Sequence, residues 1–111
     1  MKADLPAVRW IKAYWADEEV WYYFEADAEG WVLRQVELRG GQAMPVVSAS
    51  LHELPDANTD GIEAVQRYEA KYGVLADQPM TGWDTDFPQE EISTAEFEKV
   101  WIAASARMEA R

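Results

Sequence analysis

Two carboxylates spaced two residues apart, Glu25 and Asp27, share one side of an extended run, with Tyr23 before them and Arg34 and Glu37 shortly after. Paired carboxylates are the minimum equipment for general acid–base chemistry, one donating a proton while its neighbour stays ionised. Arg34 offers a competing use: a cross-strand ion pair, which ties up a carboxylate and withdraws it from proton transfer. The spacing favours that pair. Nothing completes a catalytic set around it. There is no Cys, so thiolate nucleophiles, disulfides and Cys-based zinc sites are excluded. The one imidazole, His52, stands between Leu51 and Glu53 at a predicted strand end, where a surface position is expected. Neither a nucleophile elbow nor a Gly-rich phosphate loop is present. Asp84-Thr85-Asp86 with Glu90 and Glu91 has the donor type of a calcium loop, but the central Gly is missing and Pro88 interrupts the run. No metal and no other cofactor is expected.

The charge balance points elsewhere. Ten Lys and Arg against 21 Asp and Glu give a formal net charge of −11. Nucleic acid and anionic membranes are poor partners for such a chain, because both require a basic footprint. Between residues 72 and 98 there is no Lys or Arg, while Asp77, Asp84, Asp86, Glu90, Glu91, Glu96 and Glu98 accumulate around Trp83 and Phe87. One reading is a solvated segment whose acids favour a following helix N-terminus. The other is a contact loop in which aromatic rings anchor and carboxylates steer a basic protein partner. On the second reading the partner-binding residues are Asp77, Trp83, Asp84, Asp86, Phe87, Glu90 and Glu91, and the partner is a basic protein such as a toxin or a nucleic-acid enzyme. A secondary candidate is the face carrying Trp21, Tyr23, Glu25, Asp27 and Arg34, suited to a small ligand or substrate. Fourteen aromatic residues, six of them Trp, exceed the needs of one sheet face, and strand alternation turns Trp21 and Tyr23 away from the apolar side.

The elements that must position these groups are an antiparallel sheet and two helices in a single α+β domain over residues 1–111. Val8 to Trp15, Glu19 to Asp27, Trp31 to Arg39 and Gln42 to Ser50 read as three to four strands joined by short turns. Val20, Tyr22, Phe24 and Ala26 form the core side of the second strand, and Pro45 makes the fourth either short or an edge strand. Helices are predicted over about 61–72 and 94–109, packed together on one face. Asp60 is the expected N-cap of the first, and Gly73 the stop. Ser93-Thr94-Ala95-Glu96 is a capping box for the second, with Ile92 and Phe97 as its staple and Phe97, Val100, Trp101, Ala104 and Met108 as its apolar stripe. No apolar run of about 18 residues occurs, and Asp4 and Pro6 interrupt the start as they would not in a signal peptide, so a cytoplasmic location is expected.

Tyr23-Phe24-Glu25-Ala26-Asp27, Arg34-Gln35-Val36-Glu37 and Ile92-Ser93-Thr94-Ala95-Glu96-Phe97-Glu98-Lys99-Val100-Trp101 together resemble a family of small uncharacterised bacterial domains. That family has a Tyr-x-Glu-x-Asp strand, an Arg-x-Val-Glu strand and a closing Ile-Ser-x-x-Glu-Phe-Glu-x-x-Trp helix. The resemblance covers roughly residues 8–41 and 90–104 and implies a compact α+β domain without an established catalytic site. Small acidic domains of this kind include immunity proteins that neutralise bacterial toxins. If the 77–91 stretch steers a basic partner, replacing Asp84 and Asp86 by Lys slows association and flattens its salt dependence. Stopped-flow mixing at low and high salt reads both, and unchanged kinetics would remove these residues from the site.

Overall fold

In the computed structural model, which describes residues 8–77 and 89–110, the β-branched and aromatic runs form strands β1 (Val8–Trp15), β2 (Val20–Asp27), β3 (Val32–Arg39) and β4 (Met44–Ser50). They are followed by α1 (Ala57–Asp60), α2 (Ile62–Tyr72), β5 (Gln89–Ile92) and α3 (Thr94–Glu109). The sheet is antiparallel, in the order β4-β3-β2-β1-β5. The α+β class is as the sequence predicts, but the strands number five. Gln89–Ile92 has little strand propensity of its own. It joins because β1 offers an open edge with cations facing it: Lys12 pairs with Glu90 in register, and Arg9 reaches Glu91 diagonally at 3.6 Å. Tertiary context decides such a strand.

The two long helices lie on opposite faces, not on one. Val20, Phe24 and Ala26 of β2 are buried on the first face together with Ile11, Ala13, Val47 and Ala49. Tyr68 of α2 and Leu75 just beyond it pack onto this side. Its neighbour Ala76 donates its backbone N–H to the buried Gln35 side chain (2.9 Å). The second face holds Val36, Ser48 and Ile92 under α3, where Ser48 Oγ meets Ser105 Oγ at 2.8 Å. A single-sided packing fails because the sheet as a whole carries apolar residues on both sides, Phe24, Val47 and Ala49 on the first and Val36 and Ile92 on the second. A one-residue register slip between Glu25 and Ala26 adds to this, moving Val32 onto the α2 face and leaving Leu33 with Arg34 on the other.

Local signals set the helix ends. Ser93 Oγ accepts from the Glu96 N–H (3.1 Å), and Phe97, Ala104 and Met108 are buried, each large side chain contributing about 1.5–3 kcal/mol. Asp60 does not cap α2. It closes α1, accepting from the Asp56 N–H (2.9 Å), and Gly61 at φ +90° leads into α2. Ile62, the first residue of α2, is exposed. The β4 edge is closed by chemistry: Pro45 lacks a donor, and the Tyr68 hydroxyl accepts the outward Ser50 N–H at 2.8 Å.

Gly73 ends α2 at φ +94°, and a Cβ there would lie 2.6 Å from Val47 Cγ2. Gly40 has a similar φ of +82° with open space around it. Gly40→Ala therefore costs about 1 kcal/mol of backbone strain, whereas Gly73→Ala costs about 2–4 kcal/mol because overpacking adds to it. Urea unfolding of both variants measures the difference, and equal losses would show that the approach of α2 to β4 is not a constraint.

Candidate functional site

Cross-strand register brings Glu25 of β2 opposite both Trp10 of β1 and Arg34 of β3. Arg34 Nε and Nη2 each donate to the Glu25 carboxylate at 2.7 Å, and Trp10 Nε1 donates to it at 2.9 Å. From α3, Glu98 takes the other side of the guanidinium, which lies 4.9 Å from the Phe97 ring centre and 5.1 Å from that of Trp101. The pair expected from spacing alone is therefore part of a larger clamp joining two strands to a helix. Burial pushes the Glu25 carboxyl up, but hydrogen bonds from Arg34 and Trp10 and the guanidinium charge outweigh it, and its pKa falls below the ordinary value. The hydrogen bonds from Arg34 to Glu25, with those to Glu98 and both carboxylate charges, raise the Arg34 pKa against its own desolvation. A carboxylate held ionised and bonded on both oxygens is poorly placed to shuttle protons near neutrality.

A cavity of about 550 Å³ opens beside this clamp, lined by Glu25, Arg34, Leu51, His52, Glu53 and Trp101. Leu51 also lines a second cavity of about 420 Å³, whose lining includes Trp31, Leu54 and Leu75 together with Asp27 and Asp77. Asp27 staples the β2–β3 turn: its Oδ1 accepts the N–H groups of Glu29 and Trp31, both at 2.9 Å. The structure thus brings together Asp77 from the predicted contact stretch and Asp27 from the secondary face.

It does not bring Asp77 together with Glu90 and Glu91. Those two lie on β5, at the opposite edge of the sheet, where they are exposed beside Lys12 and Arg9. Trp83, Asp84, Asp86 and Phe87 lie outside the described residues. Trp21 and Tyr23 are half-buried on the α3 side, Trp21 stacking obliquely on Tyr14 (4.8 Å) with the Lys12 ammonium 5.5 Å from its ring. Burial raises the Tyr23 pKa. His52 is exposed, as its neighbours predict. Sequence reasoning missed Leu51, Glu53, Leu54 and Trp101 as cavity walls. The apolar stripe of α3 assigns Trp101 to the core, and the Leu51–Leu54 turn carries no periodicity that would flag it.

No family model, curated protein or solved structure matches the chain.

The clamp has a pH signature. As pH falls, Glu25 of the unfolded chain takes up its proton near its ordinary value of 4.5, before the folded protein does. The stability from this group is therefore complete above that value and is lost as pH drops through the lower folded pKa. Glu25→Gln should cost about 2–3 kcal/mol at neutral pH, since it strips one of two ionic partners from a largely buried guanidinium and leaves Glu98 as the other. That deficit should shrink as pH is lowered towards about 3. Urea midpoints of both proteins across this range test it, and a deficit independent of pH would contradict the assignment.

Proposed function

We propose that this chain is an acidic, cytoplasmic binding protein that occludes the active surface of a basic protein partner, as an immunity protein does to a toxin or an inhibitor to a nucleic-acid enzyme. The observation that carries this reading is the imbalance inside the ion-paired clusters. Lys12 serves both Glu90 (4.0 Å) and Glu96 (3.3 Å), Arg34 serves both Glu25 and Glu98, and Arg9 serves Glu91. Three cations are shared among these five carboxylates, and at the β5 edge two cations, Arg9 and Lys12, meet three of them, so even where charge is compensated an acidic excess remains. An excess on an exposed edge raises encounter rates with a cationic surface and lowers them with an anionic one. The resemblance to small bacterial domains without an established catalytic site agrees with a binding role over an enzymatic one.

A second reading, a small-ligand domain on the Glu25, Asp27 and Arg34 face, draws support from the 550 Å³ cavity beside Glu25 and Arg34. It is weaker because the Glu25 and Arg34 side chains already satisfy one another.

Immobilised protein should retain a basic protein from host lysate at low salt and release it at high salt. With the captured protein purified, neutralising Glu90 and Glu91 to Gln should lower the association rate about two- to fivefold and leave dissociation nearly unchanged. Failure to capture any basic protein, or capture indifferent to salt, would reject the reading.

A further inference from the structure

We propose that the cleft lined by Trp31, Leu51, Leu54 and Leu75 seats a segment of a protein partner in which one large apolar side chain is flanked by lysine or arginine. This rests on the binding-protein reading and gives it a place. The cleft offers about 420 Å³, room for a large apolar side chain together with part of the backbone that carries it. Two of its walls, Trp31 and Leu51, are large apolar residues left 42% and 48% exposed, and they converge on one concavity. Scattered exposed apolar residues need no explanation, but convergent ones around a cavity mark a contact site.

Both walls are held before any partner arrives. The Trp31 N–H is bound by Asp27 Oδ1, and the Trp31 carbonyl accepts the Asp27 N–H, each at 2.9 Å. The Leu51 N–H donates to the Leu33 carbonyl at 2.8 Å, and the turn beyond closes through Leu54 N–H to the Ser50 carbonyl at 3.0 Å. Anchors fixed in advance lose little entropy on binding. Charge then selects the occupant. Asp27 and Asp77 line the cleft, and among the described residues no Lys or Arg does. The neighbouring cavity, which shares Leu51, adds Glu53. An apolar side chain entering here meets carboxylates on its flanks, so cationic neighbours bind and anionic ones are repelled.

The probe is the acetylated and amidated peptide Lys-Lys-Leu-Lys-Lys, titrated into the ¹⁵N-labelled full chain, with Lys-Lys-Gly-Lys-Lys and Glu-Glu-Leu-Glu-Glu as controls. The leucine peptide should shift the Trp31 indole N–H and the Leu51 amide, and should bind about tenfold tighter than the glycine peptide, the gain that burying a leucine supplies. Leu51→Ser, at an exposed site whose loss leaves the fold intact, should remove that gain, and the acidic peptide should not bind. Equal binding of the two basic peptides, shifts confined to Glu90 and Glu91, or no binding at all would each overturn the cleft assignment. So would self-association of the chain through Trp31 that the peptide cannot displace. None of these results bears on salt-dependent capture of a basic protein, which tests the broader reading separately.

Discussion

The guanidinium of Arg34 is the point at which strand pairing, helix packing and charge meet. Its fork fits the Glu25 carboxylate with two bonds from Nε and Nη2, while its remaining donors face Glu98 on α3 and its plane lies against Phe97 and Trp101. Lysine has neither the fork nor the flat surface, and would satisfy one partner at the expense of the others. Because Arg34 sits one residue past the register slip, the same local irregularity that places Leu33 beside it also presents Val32 to the opposite face. Losing the guanidinium would leave the largely buried Glu25 carboxylate without its countercharge, a larger cost than a surface ion pair carries.

A sheet covered on both faces solves a problem of composition. The apolar content is too high for one layer, and placing α2 and α3 on opposite sides gives each face its own seal. The α2 side is sealed by aliphatic and aromatic contact around Phe24. The α3 side combines apolar packing at Phe97 and Met108 with the polar clamp and the Ser48–Ser105 contact. Tyr68 and Tyr72 then join the two sides round the β4 edge, the first through the Ser50 backbone and the second through Glu109 of α3. The hydrogen bond to Glu109 raises the Tyr72 phenol to about 12, so it stays a donor throughout the physiological range.

What the sequence made legible follows physical rules of short range. Richness in β-branched and aromatic residues locates β1, and alternation locates β2 and its apolar side. Pro45 marked an edge, Gly73 a helix stop, and Ser93 a cap. The Glu25–Arg34 pair was readable because the turn between the strands is short. Legibility ended where distant elements decide. β5 owes its existence to the edge of β1 and its cations, not to its own residues. The placement of helices on opposite faces depends on which apolar residues strand pairing gathers on each side of the sheet, and the register slip that decides the side of Val32 is one that no alternation pattern reveals. The Leu51–Leu54 turn became a cavity wall only because Trp31 and Leu75 arrive there from elsewhere in the chain.

The acidic excess and the cleft are separable in space, and this limits what each can do. Glu90 and Glu91 lie on β5, three strand spacings from β3, or roughly 14 Å across the sheet. That exceeds the screening length of about 8 Å at physiological salt. Charge on the β5 edge therefore attracts a cationic body without contributing much at the cleft, where Asp27, Asp77 and Glu53 must provide the local field. A partner that fits both features would be guided by one and held by the other. Its association rate would then answer to salt and to β5, while its dissociation rate would answer to the apolar contact at Trp31 and Leu51.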